Sequence, residues 1–592
     1  MKNLYLVQIS VPENDIIGWL PYSAGVVWAY ATTNIHIRNN VELKEILFRR
    51  EKHQAIISRL DNPDIVGISC YTWNKQYSLT LAKTIKSIWP QCVVVAGGPE
   101  VNEEWMNIDY IDSLVIGEGE QAFVDMLVNI VDNTPLEKVY RNQKITNLEE
   151  IPSPYTLGIF DSIISQHPDI GWYAILESSR GCPYSCTFCD WGGATNSKIR
   201  KFTLTRIEND LKWFVKNNVY TVLVPDANFG IFKQRDKEIA VLIRNYAELP
   251  ESKIQHVMTT YAKNTNLECF EIEQIFGPYS YGMTVSVQSM SPGSLEAIKR
   301  NLMKINELTR VFSLSEEYKI KTYTEIILGL PRETLDEFKS GIAKILELGQ
   351  HNQLQVWILM LIPNSEMNTP EYRQMFGLKT RNIKTLKDDC YPGSYEESEF
   401  IIETDSMSFD DLVEAYMYAW MLQNFHYAGY TEWFAKYCRN VHNIPYRTFY
   451  DRLFKKIQES PAFKDVFIDF KENVVYQWQG NEADNTKHLV TLDCNINLYY
   501  SMYTRFIDVA IEEFEYELSP EIIELQKKYI ITNTAEPDTC VTVDVDLFTW
   551  EITPTTYILK YPELPVGIKN IMLTHNFKKK LRKFIIEKQG PL

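Results

Sequence analysis

Residues 178–193 read SSRGCPYSCTFCDWGG and contain three cysteines in the spacing C-x3-C-x2-C. Cys182, Cys186 and Cys189 follow a short apolar segment at residues 173–177 that we predict to be a β-strand, so their sulfurs would share one tight loop. Three thiolates at this spacing can bind three corners of a [4Fe–4S] cluster. Because no fourth cysteine lies nearby in the sequence, one iron would stay open to a substrate or a cofactor.

Two other interpretations of this motif are weaker. A structural zinc site would usually have a fourth Cys or His close by, but the nearest histidines are His167 and His256. A disulfide would leave an odd thiol in a compartment that we expect to be reducing. The other seven cysteines are scattered singly, and we expect each to be a small buried core residue: Cys70, Cys92, Cys269, Cys390, Cys438, Cys494 and Cys540.

The length and charge of the chain restrict its class. A chain of 592 residues is too long for one hydrophobic core, so we expect three or four domains. The formal net charge of −17 repels phosphate backbones, which argues against nucleic acid and favours a small-molecule or peptide substrate. The first ten residues resemble a strand rather than a signal peptide. The longest apolar stretch, residues 16–32, is interrupted by Pro21 and Ser23, so we expect a buried turn and helix in a cytoplasmic protein without a membrane span.

The first third of the chain alternates short apolar strands with helices. We predict strands at residues 4–10, 65–69, 93–96 and 114–116, and find helical spacing at 41–60 and 75–88. This alternation predicts an α/β fold with a doubly wound, Rossmann-like parallel sheet. In such sheets ligands bind at the carboxyl ends of the strands, where glycine lets the backbone approach closely. The turns Gly97-Gly98-Pro99 and Gly117-Glu118-Gly119-Glu120 fall at these ends.

The chain divides into four predicted parts: an N-terminal domain at 1–135, a polar linker at 136–170, a second β/α series at 171–375, and a mainly helical domain at 376–592. Six strands in the third part could curl into an open barrel: 173–177, 221–224, 254–259, 283–287, 322–328 and 355–360. In the last part, residues 410–440 combine helical spacing with many aromatic side chains, which fits core packing better than a cap over a substrate pocket. A possible strand at 541–549 and a basic helix at 577–588 follow.

With Phe188 before its last cysteine, the C-x3-C-x2-C motif resembles the signature of radical S-adenosylmethionine (SAM) enzymes, whose partial (β/α)6 barrel matches the six predicted units. Segments after later strands resemble the family's SAM-binding motifs in the correct order: DANFG at 226–230, which lacks the usual glycine-rich form, QS at 288–289, ILGLP at 327–331 and PNS at 363–365. The resemblance implies that SAM contacts Asp226, Asn228, Gln288, Glu325, Gly329 and Pro363. Arg180 and Lys263 are less specific candidates for the same role.

The N-terminal part is similar to the cobalamin-binding domains that precede the barrel in one large subgroup of that family. The similarity implies cobalamin contacts at Ser69, Gly97, Gly98, Gly117, Glu118 and Gly119. Cobalamin domains that ligate cobalt through histidine carry an Asp-x-His-x-x-Gly loop after the first strand, but here residues 11–18 read VPENDIIG. Histidine from this loop is therefore not expected to hold the lower face of the cobalt. A vestigial domain that binds nothing is the alternative.

Together the two resemblances imply a cobalamin-dependent radical SAM methyltransferase. Such an enzyme uses SAM and a [4Fe–4S] cluster to move a methyl group from methylcobalamin to a carbon of a small-molecule or peptide natural-product intermediate. An external electron donor such as flavodoxin or ferredoxin would reduce the cluster. Two alternatives stay open: an enzyme of the same subgroup that catalyses a non-methylating rearrangement or cyclisation, and a regulatory sensor that binds the same cofactors.

Overall fold

The computed structural model describes residues 1–10, 17–141, 144–191, 197–261, 267–301, 303–388, 390, 394–427, 429–461, 464–481, 500–529, 540–543, 549–553, 556–560 and 570–573. Within these residues, two parallel β/α units are followed by a β-hairpin and a helical layer. None of the described helices is both long enough and apolar enough to cross a membrane.

The N-terminal unit is a six-stranded parallel sheet in the order β3-β1-β4-β5-β6-β7, which confirms the doubly wound fold. From β1 the chain crosses to β3 on one side of that strand and then to β4 on its other side. Strands β5, β6 and β7 follow outward from β4. The carboxyl ends of β1 and β4 therefore enclose the switch point where doubly wound sheets bind ligands. The elements of this part are β1 (Lys2–Val7), β2 (Ile17–Trp19), α1 (Tyr22–Ala31), α2 (Ile35–Asn40), β3 (Val41–Leu47), α3 (His53–Arg59), β4 (Ile65–Ser69), α4 (Lys75–Ile88), β5 (Val93–Gly97), β6 (Ser113–Ile116), α5 (Glu120–Val131) and β7 (Val139–Arg141).

The helix predicted at residues 41–60 was wrong for the first part of this segment, which forms strand β3. Only α3 is helical. The strand pairs in parallel with β1 and buries Val41, Ile46 and Leu47. Its charged residues remain on the outer side of the sheet because β3 is an edge strand. The opposite edge is β7, which lies within the segment predicted as a linker.

Six parallel strands, β8 and β11 to β15, stand at the six predicted positions and confirm the partial barrel. They form two sheets, β12-β11-β8-β2 and β13-β14-β15, which meet where Val257 pairs with Ser280. The elements are α6 (Asp161–Gln166), β8 (Gly171–Ile175), β9 (Ser179–Arg180), β10 (Arg200–Lys201), α7 (Leu204–Lys216), β11 (Val219–Phe229), α8 (Lys233–Ala247), β12 (His256–Tyr261), α9 (Leu267–Phe276), β13 (Met283–Gln288), α10 (Pro292–Ala297), α11 (Ile305–Tyr318), β14 (Thr322–Leu328), α12 (Leu335–Glu347), β15 (Leu354–Ile358) and α13 (Pro370–Met375).

Strand β2 joins the two units and was not predicted from the sequence. It belongs to the first unit by position in the chain, yet it pairs in parallel with β8 of the barrel. Trp19 stacks on Tyr173 with ring centroids 4.6 Å apart, which fixes the strand in place. The helical half of the predicted turn and helix at 16–32 is confirmed by α1.

The C-terminal part begins with an antiparallel hairpin of β16 (Lys379–Asp388) and β17 (Ser394–Glu403) and is otherwise mainly helical, as predicted. The aromatic residues of 410–440 pack in the core, and Tyr416, Trp420 and Phe434 are fully buried. The predicted helix at 577–588 lies outside the described residues. The remaining elements are α14 (Phe409–Leu422), a π-helical turn (Gln423–Tyr427), α15 (Glu432–Val441), α16 (Tyr446–Glu459), α17 (Lys464–Trp478), α18 (Tyr500–Glu513), α19 (Pro520–Tyr529), β18 (Cys540–Val543), β19 (Thr549–Thr553), β20 (Thr556–Lys560) and β21 (Asn570–Leu573).

Candidate functional site

A cavity of about 570 Å³ lies between the carboxyl edge of the first sheet and the mouth of the barrel. The sheet contributes the ends of β1, β4, β5 and β6, and the barrel contributes the ends of β8 and β11 with part of the cysteine loop. The structure therefore brings the glycine turns of the first unit next to the loop that carries the cysteines. The cysteines themselves are not among the described residues that line the cavity, and neither are the predicted SAM contacts Asp226, Asn228, Gln288, Glu325, Gly329 and Pro363. Every residue predicted to contact cobalamin lines this cavity: Ser69, Gly97, Gly98, Gly117, Glu118 and Gly119.

On the sheet side, Gly98 lets two loops approach each other. Its φ is +103°, and a Cβ at this position would lie 2.6 Å from the carbonyl oxygen of Cys70. Because that contact is with backbone, no side chain fits without moving one of the loops. Asn364, in the loop after β15, donates from Nδ2 to the carbonyl oxygen of Pro99 at 3.2 Å and also lines the cavity. The sequence predicted a SAM contact for its neighbour Pro363 and gave no sign of this link between the units.

On the barrel side, Asp226 of β11 holds the strand that leads into the cysteines. Its carboxylate accepts four hydrogen bonds, from the N–H and hydroxyl of Ser178 at 2.9 and 2.6 Å and from those of Ser179 at 3.1 and 2.6 Å. Burial raises the pKa of Asp226 to about 6, and the four hydrogen bonds act in the opposite direction. Gly181 follows with φ +112°, where a Cβ would lie 2.6 Å from the carbonyl oxygen of Lys198. The path of the loop is thus fixed at both sides of Arg180.

Two polar side chains approach the cysteine sulfurs. The Nδ2 of Asn228 lies 3.2 Å from the Sγ of Cys182, and the guanidinium of Arg300 lies 4.0 Å from the Sγ of Cys186. Arg300 is partly buried and also donates to the carbonyl oxygen of Ser286. An N–H donor and a cation at this range stabilise negative charge on sulfur. Arg300 was not predicted, because its place beside the cysteines results from the turn after α10.

This donor set fits an iron–sulfur cluster better than a single metal ion. Cys182, Cys186 and Cys189 are thiols rather than members of disulfides. In the part of the chain that the structure describes, no three His, Cys, Asp or Glu side chains converge as a single bound ion requires. In a [4Fe–4S] cluster each thiolate binds a different iron, so the sulfurs need not converge on one point. The zinc interpretation thus gains no support from the described residues.

Buried ion pairs join the two units at the mouth of the cavity. Arg180 pairs with Glu120 at 2.7 Å and with Glu177 at 2.7 Å, and Arg200 pairs with Glu118. Arg180, Arg200 and Glu177 come from the barrel, whereas Glu118 and Glu120 come from the first unit. Arg180 and Glu118 were both predicted as cofactor contacts, and the structure shows that they also connect the units. The pairs hold the sheet edge against the cysteine loop.

Of the other predicted SAM contacts, Gln288, Gly329 and Pro363 lie at or beyond the carboxyl ends of β13, β14 and β15, whereas Glu325 lies in the middle of β14. Gln288 is buried and has φ +68°, in the left-handed region. Glu325 accepts a hydrogen bond from the Ser286 hydroxyl at 2.8 Å, and burial raises the pKa of its carboxyl. Gly329 and Pro363 follow their strands in the predicted order. Contact with SAM stays a prediction for these residues, and Lys263, Gly192, Gly193 and residues 11–16 lie outside the described residues.

A doubly wound domain facing a three-cysteine barrel loop across one cavity defines an iron–sulfur enzyme with a second cofactor domain. Residues 35–127 match the family model described as B12 binding domain. The chain is 34% identical over 461 residues to the cobalamin-dependent radical SAM methyltransferase TokK of Streptomyces tokunonensis, covering 74% of this chain and 67% of TokK. It is 33% identical over 466 residues to 2-(S-pantetheinyl)-carbapenam-3-carboxylate methyltransferase of Streptantibioticus cattleyicolor, covering 74% and 68%. The chain belongs to the family of cobalamin-dependent radical SAM methyltransferases, and its cofactors are cobalamin, SAM and a [4Fe–4S] cluster.

Among solved structures, the chain is similar to the radical SAM methyltransferase TsrM of Kitasatospora setae. The two share 15% identity with a TM-score of 0.48, covering 68% of this chain and 86% of TsrM. At this level the likeness adds nothing to the sequence relationship. Family membership decides between the alternatives left open by the sequence: the chain is an enzyme rather than a sensor, and a methyltransferase.

Proposed function

We propose that this chain methylates a carbon of a small-molecule natural-product intermediate, with cobalamin in the cavity between the sheet edge and the barrel mouth. The observation that carries the proposal is that this one space reaches both the glycine turns of the B12-binding segment and the cysteine loop. Two cofactors that act on one carbon must be held close together in a fixed orientation. The lining of the cavity is chiefly apolar, which favours exclusion of water from the reacting groups.

On the barrel side, the chain's own residues have distinct tasks in this proposal. Cys182, Cys186 and Cys189 hold the cluster and leave one iron open for SAM. When bound, the cluster and SAM supply hydrogen abstraction from an unactivated carbon, and cobalamin supplies the methyl group. Asn228 and Arg300 stabilise the charge on the sulfurs, and they stand 3.2 and 4.0 Å from the nearest Sγ atoms.

Further residues are proposed to position SAM and the corrin ring. Gln288, Gly329 and Pro363 contact SAM from the ends of successive strands, where ligands of parallel β/α folds bind, and Glu325 does so from within β14. Asp226 acts on the cysteine loop through Ser178 and Ser179. Glycine turns on the sheet side leave room for a large planar ring to lie against backbone. These turns and the serine before them supply the proposed corrin contacts: Ser69, Gly97, Gly98, Gly117, Glu118 and Gly119.

The proposed substrate class comes from the relatives. The name of the Streptantibioticus cattleyicolor relative specifies a 2-(S-pantetheinyl)-carbapenam-3-carboxylate, which is a bicyclic β-lactam bearing a carboxylate and a thioether. We propose a carboxylated ring compound of this kind as the first substrate to test. Such a compound should carry an unactivated carbon from which hydrogen can be abstracted.

The test is an anaerobic assay of protein reconstituted with iron, sulfide and hydroxocobalamin. After addition of SAM and reductant, we expect bound corrinoid in the absorption spectrum and formation of both 5′-deoxyadenosine and S-adenosylhomocysteine. With the substrate present, the product mass should rise by one CH₂ unit. Formation of 5′-deoxyadenosine without corrinoid binding would contradict methyl transfer through this cavity, whereas both co-products without substrate conversion would reject only the substrate class.

An external electron donor is the remaining part of the proposal. The cluster needs one electron for each reductive cleavage of SAM, and we propose that a flavodoxin or a ferredoxin supplies it. Reduced flavodoxin should replace the chemical reductant in the same assay, with 5′-deoxyadenosine formed in proportion to flavodoxin oxidised. Activity with the chemical reductant but with neither protein would reject this donor class.

A further inference from the structure

The loop at residues 69–74, which connects β4 to α4, forms part of the cavity wall. Ser69 and Tyr71 face the cavity, and the Tyr71 hydroxyl lies 2.7 Å from the Ser23 hydroxyl at the start of α1. The loop is also held from within its own unit by Asn74. The Asn74 side chain accepts from the Tyr71 N–H at 2.8 Å and donates to the carbonyl oxygen of Ile9 at 2.8 Å.

A second restraint on this loop comes from the C-terminal hairpin. Glu396 of β17 is fully buried, and its carboxylate accepts from the N–H groups of Gln76 at 2.7 Å and Tyr77 at 3.1 Å in the first turn of α4. The same carboxylate pairs with Arg50 at 2.6 Å, and both side chains are at most 5% exposed. Arg50 in turn donates to the carbonyl oxygen of Trp73, within the loop, at 2.6 Å. Glu396 therefore contacts the helix that follows the loop and, through Arg50, the loop itself.

The chemistry of this contact is specific to a carboxylate. The first N–H groups of a helix have no partners within the helix, and a negative charge there also complements the helix dipole. Burying a carboxylate and a guanidinium is costly unless both are paired and hydrogen-bonded, and apolar packing would join the hairpin to α4 at lower cost. A buried charge at this place, 320 residues from Gln76 in the sequence, thus fixes position rather than maximising stability.

We infer that Glu396 is a positioning residue for cobalamin, because it sets the 69–74 loop against the corrin-binding cavity. The hairpin of the C-terminal part is then a component of the cobalamin site and not only a connection to the helical layer. This inference rests on the proposed function, since it requires the corrin ring to occupy the cavity. Outer partners of a metal-binding group typically alter affinity by about 10- to 100-fold when removed.

The test compares Glu396→Gln with Glu399→Gln in the full-length chain. Glu399 lies on the same strand, but its partners are Arg373 and Thr380, which belong to the barrel side and the hairpin itself. Hydroxocobalamin is titrated into each anaerobic protein and followed by its absorption, and the electron paramagnetic resonance spectrum of bound cob(II)alamin is recorded. We expect Glu396→Gln to raise the Kd for the corrinoid by about 10-fold and to change the cob(II)alamin spectrum. Glu399→Gln should leave both unchanged.

A second variant distinguishes loss of this contact from unfolding of the protein. Glu396→Gln leaves Arg50 buried without its carboxylate, whereas the pair Arg50→Gln and Glu396→Gln leaves neither charge unpaired. The double variant should keep the circular dichroism of the parent and still bind corrinoid more weakly with the altered spectrum. Unchanged affinity and spectrum in the folded double variant would overturn the inference, as would an equal loss in Glu399→Gln. If the parent itself bound no corrinoid, the proposed function would fail and the inference with it.

Discussion

Both ends of the barrel contain buried polar side chains. At the carboxyl end polar side chains lie beside a cavity, whereas at the amino end they contact one another. At the carboxyl end, Glu177 and Arg180 line the open cavity, and Arg300 lies 4.0 Å from the Cys186 sulfur. At the amino end, His351 and His426 contact each other at 2.9 Å, and the Tyr450 hydroxyl lies 2.6 Å from the His426 ring. His351 lies just before β15, whereas His426 and Tyr450 belong to the C-terminal part, and none of the three is among the described residues that line the cavity.

The comparison distinguishes buried polar groups that can act on a ligand from buried polar groups that stabilise the packing. Charged groups that line a cavity are positioned to meet a ligand. Neutral groups that satisfy one another add rigidity but offer nothing to a ligand. This distinction leads to four predictions. Mutations around the cavity at the carboxyl end should alter cofactor chemistry, and mutations at the amino end should alter only stability.

The largest effect is expected from Cys186→Ala at the carboxyl end. Removal of one of three thiolates leaves two corners of the cluster unheld, so the cluster should be lost and formation of 5′-deoxyadenosine should cease. Iron and acid-labile sulfide content and the turnover assay measure this. Cys390→Ala, outside the motif, is the matched control and should keep cluster and turnover. Full activity in Cys186→Ala would refute the assignment of the motif.

Gly98→Ala is expected to have the next largest effect, on the sheet side of the cavity. The added Cβ would meet the backbone of Cys70 at 2.6 Å in a left-handed conformation, so the cavity wall must shift. Overpacking of this kind costs roughly 1–3 kcal/mol, and we expect corrinoid affinity to fall by about 10-fold or more. Gly293→Ala, away from the cavity, is the control, because its Cβ would come no closer than 3.7 Å to Arg332. Equal corrinoid affinity in the two variants would show that this turn does not shape the site.

A smaller effect, at the carboxyl end of the barrel, should follow from Asn228→Ala. The variant loses the N–H donor 3.2 Å from the Cys182 sulfur, and such donors stabilise the reduced, more negative cluster. The reduction potential should therefore become more negative, by tens of millivolts, with the cluster retained. Redox titration followed by electron paramagnetic resonance measures the shift. Asn352→Ala removes a hydrogen bond to Thr322 at the amino end of the barrel and should not move the potential.

Much of the fold could be predicted because its signals are local. The six barrel strands are short apolar runs between helices of regular spacing, and the cysteine motif is contained in eight residues. Helix spacing failed at 41–47, where the charged outer side of an edge strand alternates with apolar residues in a pattern close to that of a helix. Strand β2 is only three residues long and carries no periodicity at all.

The parts of the site that could not be predicted depend on contacts between distant residues. Arg50 and Glu396 are 346 residues apart in the sequence, and Asn364 lies 265 residues from the carbonyl it contacts at Pro99. Nothing in the local sequence of Glu396 distinguishes it from the half-buried Glu397 and Glu399 on the same strand. Motif residues could be assigned to a cofactor by resemblance. The ion pairs through which Arg180 and Glu118 also link the two units depend on the folded structure and leave no local signal.

The amino end gives the smallest effect on function and a distinct dependence of stability on pH. Burial lowers the pKa of both His351 and His426 well below the ordinary value, and nearby Lys436 acts in the same direction. The unfolded chain takes up protons below its histidine pKa of about 6.5, while the folded chain keeps both rings neutral. Their contribution is therefore fully present above about pH 6.5 and is lost as the pH falls, by up to about 1.4 kcal/mol per pH unit for each histidine.

Chemical denaturation of the apoprotein at several pH values between about 5 and 8, on both sides of the ordinary histidine pKa, measures this slope in the parent and in the variant. The double variant His351→Gln and His426→Gln should flatten it, whereas Asn352→Ala, which removes no titratable group from the same end of the barrel, should not. Buried Glu333, whose pKa burial raises to about 8, gives a slope of opposite sign, so the difference between variant and parent is the quantity to compare. An altered cluster potential or corrinoid affinity in the histidine variant would break the distinction between the two ends of the barrel. A flattened slope with unchanged cofactor binding would establish it, because the same degree of burial would then serve stability at one end and chemistry at the other.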